Sequence, residues 1–209
     1  MEKNGLFSII LDTYDFDNPF FASEILDLVG NFSKAYIYRL LNELIAENKV
    51  RKYSQGVYFV PKKTSFGLST ITAYEAIEKQ YISCNDKIFG IKTGVTLLNK
   101  FGITTQVPNI IEIVTNNETT RIRRKVVNER VFILRKSRCE INEDNYMAYE
   151  VLELLNSLND KQVIERKSKI QSYVKENNLF AEITKLAKDF PGKTAKRMVL
   201  SEICSHEIA

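Results

Sequence analysis

Between residues 37 and 45 the apolar positions Ile37, Leu40, Leu41, Leu44 and Ile45 recur at the i, i+3, i+4, i+7, i+8 spacing of a single helical stripe. Ser33 stands ahead of them as an N-cap, so the pattern predicts a helix whose stripe faces a core. At about 100° per residue, the opposite arc carries Ala35, Arg39 and Asn42, flanked by Tyr36 and Tyr38, with Lys34 in the first turn. The periodicity then changes. Residues 50–53 and 57–60 are short runs rich in β-branched and aromatic side chains, joined through Ser54, Gln55 and Gly56. They predict a hairpin in which Gly56 supplies a positive φ, ended by Pro61, which has no N–H for a ladder.

Upstream, Leu6, Phe7, Ile9, Ile10 and Leu11 predict a first helix, and residues 23–29 a short second one with Ile25, Leu26 and Leu28 apolar. Gly30 and Asn31 make a sharp turn between it and the helix after Ser33. A short helix, a turn with Gly, a longer helix and a ribbon follow the order of a winged helix-turn-helix, whose second helix enters the major groove of DNA.

Charge supports that face over a merely solvated one. Residues 34–63 hold seven cations (Lys34, Arg39, Lys49, Arg51, Lys52, Lys62, Lys63) against Glu43 and Glu47, whereas residues 1–32 hold Lys3 against six anions. Arg and Asn can make bidentate contacts with guanine and adenine, and Tyr hydroxyls reach phosphates. Local clustering of positive charge is the footprint of a nucleic-acid-facing surface. The net charge of the 209-residue chain is only +4, so the case rests on the clustering.

After Pro61, residues 62–69 read as a linker, which sets expected domains at 1–63 and 64–209. Thr72 and Glu75 form a capping box that opens a helix to about Ser83. Ile88 to Ile91 predicts a short strand, Thr93 caps a brief helix holding Val95, Leu97, Leu98 and Phe101, and Gly102 takes the left-handed position after it. Strands are predicted at 110–115, 119–127 and 131–136, and helices from 146 to the end, so the 64–209 part divides into a mixed segment to 140 and a helical one from 141. The fold class is α+β, with a small antiparallel sheet in the middle. Residues 118–138 carry eight cations, among them Arg121, Arg123, Arg124, Lys125 and Arg135, against Glu118 and Glu129. That cluster is either a second nucleic-acid or partner surface or a sheet edge guarded against aggregation by its charges.

A composition 44% hydrophobic and 27% charged is that of a globular protein, and no apolar run approaches the ~20 residues that span a bilayer. Met1-Glu-Lys-Asn-Gly lacks a signal-peptide layout, so a cytoplasmic location and no membrane partner are expected. Cys84, Cys139 and Cys204 are widely spaced and expected to be reduced; the one His, His206, gives no ligand set, so neither metal nor cofactor is expected. Pro191-Gly-Lys-Thr194 ends like a phosphate loop but has Ala187 where the first Gly belongs. With no nucleophile–His pair and no catalytic motif, an enzyme is the weaker expectation.

Two segments carry a family resemblance. Leu40-Leu-Asn-Glu-Leu-Ile-Ala-Glu-Asn-Lys-Val-Arg-Lys-Tyr-Ser-Gln-Gly-Val-Tyr-Phe-Val-Pro61 and Thr93-Gly-Val-Thr-Leu-Leu-Asn-Lys-Phe-Gly-Ile-Thr-Thr-Gln-Val-Pro108 together resemble the AbiEi-type antitoxins of type IV toxin-antitoxin, or abortive-infection, systems. The resemblance implies an N-terminal winged helix that binds inverted repeats in double-stranded operator DNA and represses its own operon. It also implies a C-terminal part that counters a nucleotidyltransferase-like toxin, with direct contact left open. By matching position, Ser33, Lys34, Tyr36, Tyr38, Arg39 and Asn42 would lie on or beside the recognition helix, and Arg51, Lys52, Tyr53 and Gln55 on the wing. A standalone regulator with a ligand-binding or dimerising C-terminal domain is the alternative, and monomer and homodimer are both allowed.

Overall fold

In the computed structural model, which describes residues 2–30 and 32–203, the chain divides into two compact units, Met1–Lys79 and Gln80–Ala209. The fold is mixed α and β, with nine α-helices among the described residues. None of the helices is long and apolar enough to cross a membrane. Asn31, Cys204 and His206 lie outside the described residues.

The first unit opens with helix α1 (Lys3–Tyr14), strand β1 (Phe20–Phe21), helix α2 (Ala22–Val29), helix α3 (Lys34–Ala46) and the ribbon β2 (Arg51–Ser54) and β3 (Val57–Phe59). The stripe predicted for α3 is buried at Ile37, Leu40, Leu41 and Leu44, and it packs with Leu6 and Ile10 of α1, Ile25 of α2, and Phe20 and Tyr58. The three strands form an antiparallel sheet in the order β1-β3-β2, which sets Phe20 opposite Tyr58. Tyr14, Phe20 and Tyr58 stack in series, with centroids 5.1 and 6.0 Å apart. On the other face of β3, Val57 and Phe59 are buried with Ile71 and Ala76.

The cap at Ser33 is formed: its Oγ accepts from the backbone N–H of Tyr36 at 3.3 Å. Ser33→Ala is expected to cost about 1 kcal/mol, the usual value of a lost N-cap. Urea unfolding checks it, and an unchanged midpoint would mean that water serves the Tyr36 N–H equally well.

The segment 62–69 is not a linker. Strands β4 (Lys63–Thr64) and β5 (Gly67–Leu68) pair in a tight hairpin, in which the Thr64 hydroxyl donates to the Gly67 carbonyl at 2.8 Å and accepts from Phe66 N–H. Helix α4 (Ala73–Tyr81) follows, opened by the expected capping box: Thr72 N–H donates to Glu75 Oε2 at 2.7 Å and Glu75 N–H to Thr72 Oγ1 at 3.2 Å. The division therefore falls at 79/80 and not at 63/64, because Ile71 and Ala76 complete the core over β3.

The second unit contains a hairpin of β6 (Ser83–Cys84) and β7 (Lys87–Ile88), strand β8 (Gly90–Thr93), helix α5 (Gly94–Lys100), and strands β9 (Ile110–Thr115), β10 (Ile122–Val127) and β11 (Arg130–Lys136). The sheet order is β10-β11-β9-β8, antiparallel except for the parallel pair β11–β9. Asn128 and Glu129, both at positive φ, close the β10–β11 hairpin in the twist that flanking strands favour. Helices α6 (Tyr146–Ser157), α7 (Asp160–Glu176), α8 (Phe180–Leu186) and α9 (Gly192–Leu200) complete the unit. Helix α6 is the centre of its core: Tyr149, Leu152 and Leu155 pack with Ile91, Val114, Val163 and Ile183. The Tyr149 hydroxyl accepts from Arg138 N–H at 2.8 Å, and burial pushes its pKa far above the usual phenol value.

Candidate nucleic-acid interface

Helix α3 buries one side, so its other side is fixed. Lys34, Ala35, Arg39 and Asn42 are exposed, with Tyr36 and Tyr38 half-buried at the margins. The two tyrosines hold the cations. The Arg39 guanidinium lies 5.0 Å from the centroid of Tyr36, which itself stacks on Phe32 at 5.5 Å, and Lys34 Nζ lies 5.9 Å from that of Tyr38. Arg39 also approaches Glu43 at 3.8 Å, one helical turn on, but its side chain stays 62% exposed. An exposed pair of that kind contributes under about 1 kcal/mol, so Glu43 holds Arg39 only weakly. The candidates Ser33, Lys34, Tyr36, Tyr38, Arg39 and Asn42 are thus all on or beside one helix, with Ser33 engaged as its cap.

The ribbon separates its candidates. Arg51 pairs with Phe59 and Lys52 with Tyr58, so alternate side chains leave opposite faces of the sheet. Lys52 is on the Tyr58 face, against which α1 to α3 pack. Arg51 is on the Phe59 face, and its Nη1 donates to the Ser69 carbonyl at 3.3 Å. The register shift between Lys52 and Ser54 makes Tyr53 the bulged residue, and burial raises its pKa, with the charge of Glu75 adding to the shift. Gln55 is exposed at the tip, beside Gly56 at φ +80°. Arg51 and Lys52, both expected on the wing, therefore leave opposite faces of the ribbon, and Lys52 is the cation on the helical side.

The second cationic cluster also splits. Arg123 and Lys125 share one face of β10 and converge on Tyr81, to whose hydroxyl they donate at 3.0 and 3.2 Å. Arg123 Nε further pairs with Glu118 at 2.7 Å. Arg135 donates to Thr93 Oγ1 at 2.9 Å and faces Glu112 and Glu153. Of the five candidates, Arg123, Lys125 and Arg135 thus have partners within the second unit, and Arg121 and Arg124 are exposed.

Glu118 is the anchor that sequence reading missed. It is buried to 3% exposure, and one of its oxygens accepts from Thr119 N–H, Thr120 N–H and Thr120 Oγ1. Burial alone would raise its pKa, but the Thr120 hydrogen bonds and the Arg123 charge outweigh it and the net shift is downward. A lowered carboxylate pKa contributes stability above the unfolded-state value and loses it as pH falls through the folded value. Glu118→Gln is thus expected to cost about 1–2 kcal/mol at pH 7 and much less in strong acid. Thermal melts of both proteins at the two pH values check it; a constant gap would remove the charge from the explanation.

Among the described residues no group of three or more His, Cys, Asp or Glu side chains could hold a metal ion. Cys84 and Cys139 are not in disulfides. No curated protein and no solved structure matches the chain. A family model does match, over residues 20–182, from strand β1 into helix α8. That span covers most of the sequence, and the chain belongs to the family of unknown function DUF6088.

Proposed function

We propose that the first unit is a winged helix-turn-helix that binds duplex DNA, with α3 in the major groove and the β2–β3 ribbon as the wing. The protein is then a transcriptional repressor of its own operon that also acts as an antitoxin against a nucleotidyltransferase-like toxin. The observation that carries the DNA reading is the exposed arc of α3, where Lys34, Arg39 and Asn42 stand opposite the buried Ile37, Leu40, Leu41 and Leu44. The α1-β1-α2-α3-β2-β3 order and the β1-β3-β2 sheet support the same reading. The antitoxin role rests on the resemblance of residues 40–61 and 93–108 to AbiEi-type proteins.

The test is a gel-shift titration of the full chain on the DNA immediately upstream of its gene, at several salt concentrations. A retarded complex whose affinity falls steeply with salt is expected; absence of any shift at micromolar protein would end the DNA reading. For the antitoxin role, co-expression with a neighbouring nucleotidyltransferase-like gene should relieve growth arrest. Arrest that persists at full expression of the chain would remove that role while leaving the repressor.

One feature favours a ligand-responsive regulator as the second reading. An apolar cleft of about 280 Å³ in the second unit is lined by Ile82, Ile88, Ile91 and Leu97, with the Lys100–Glu150 ion pair at its side. A regulator of that kind would change operator affinity when a small apolar molecule is added.

A further inference from the structure

On the second unit, Arg121 and Ile122 at the start of β10, Arg135 and Lys136 at the end of β11, Arg138 just beyond, and Glu153 of α6 surround a cleft of about 210 Å³. Four cations surround Glu153 there, and Arg135 also lies 3.8 Å from Glu112 at the margin. Glu153 is only 4% exposed and sits between two guanidinium groups, 3.6 Å from Arg135 Nη2 and 3.6 Å from Arg138 Nε. Those separations are ion pairs and not hydrogen bonds. The carboxylate positions the two forks without occupying their donors.

The donors that remain point to a ligand. Arg135 Nε is buried and has no hydrogen-bond partner, an arrangement that buried N–H groups rarely keep. Arg121 and Lys136 are exposed and make no ion pair among the described residues. Guanidinium forks match the tetrahedral oxygens of phosphate, and a monoester carries a charge of about −1.5 to −2 at neutral pH, which answers the excess of cations better than the single charge of a diester. The volume lies below the roughly 300 Å³ at which pockets begin to enclose a whole drug-sized ligand. It suits a phosphate group and the first atoms of whatever carries it.

We propose that this cleft binds a phosphate monoester, such as the phosphate of a mononucleotide, through Arg121, Arg135, Lys136 and Arg138. In the bound state the Arg135 and Arg138 guanidinium groups face the anion, and Arg121 and Lys136 close over the remaining charge. The inference is independent of the DNA reading, since all of these residues belong to the second unit.

Isothermal titration of the full chain with inorganic phosphate, adenosine 5′-monophosphate and adenosine tests it. Saturable binding of both phosphates and none of adenosine is expected. Equal affinity for the two assigns the site to the phosphate alone, and a preference for the nucleotide assigns its carrier as well. The double variant Arg121→Ala, Lys136→Ala changes exposed positions, so its thermal melt should be unaltered while phosphate affinity falls by about tenfold or more. Arg135→Lys keeps the charge beside Glu153 but removes the fork, and should weaken binding too. Failure of both phosphates to bind, or undiminished binding by the double variant, overturns the proposal. So does a loss confined to duplex-DNA affinity with no response to either phosphate, which would make these residues a backbone contact instead.

Discussion

Gly90→Ala is expected to cost the second unit about 3 kcal/mol or more. The added Cβ would lie 2.0 Å from the carbonyl oxygen of Tyr81, 3.0 Å from that of Val114 and 3.1 Å from Thr115 Cβ. Two of the three are backbone atoms, so no side chain can swing away. Relief would require β8 to move, yet Gly90 pairs with Thr115 in the sheet and its N–H donates to the Ile82 carbonyl at 3.1 Å. The φ of Gly90 is not in the left-handed region, so the penalty is one of space and not of backbone preference. Gly56→Ala is the contrasting control: a Cβ there would meet nothing within 4 Å, but the φ of Gly56 is +80°, which predicts a cost of about 1 kcal/mol. Hydrogen exchange of the full chain reads both, and protection in residues 80–203 undiminished by Gly90→Ala would contradict the packing described around β8.

Removing Lys34, Arg39 and Lys52 together is expected to weaken operator binding by about 100-fold or more at moderate salt. Each is exposed, so the triple alanine variant should fold and melt close to the parent. The loss has a second signature, since every phosphate contact removed lowers the slope of log affinity against log salt by about 1. Arg51→Ala alone should matter less than Lys52→Ala, because its guanidinium already donates to the Ser69 carbonyl on the opposite face of the ribbon. A triple variant with parental affinity and an unchanged slope would remove α3 and the ribbon from any DNA contact.

The elements whose signals are local were legible in the chain. The α3 stripe, the Ser33 cap, the Thr72–Glu75 box, and the turns at Gly56 and Gly102 each depend on a few neighbouring residues, and each is where the pattern put it. Features that depend on partners distant in sequence were not. Strand β1 is two phenylalanines long and has no period to detect; it exists because Phe20 finds Tyr58. The three strands at 110–136 were visible, but nothing local announces that β11 returns parallel to β9. The bulge at Tyr53 and the pairing around it decide which face each ribbon cation takes, and a one-residue change of register reverses the answer. Glu153 looks like an ordinary surface charge until Arg135 and Arg138 are brought to it from the sheet.

Strand β10 is the outer member of its sheet, and Ile122 and Val126 stand bare on it at 61% and 50% exposure, separated by Arg124. An open rim of this kind invites the same rim of another molecule, and like charges at Arg121 and Arg124 hold the two apart. Polyanions that neutralise those charges would remove the barrier. The protein is therefore expected to associate more readily when a polyanion is present, which light scattering with and without one would show.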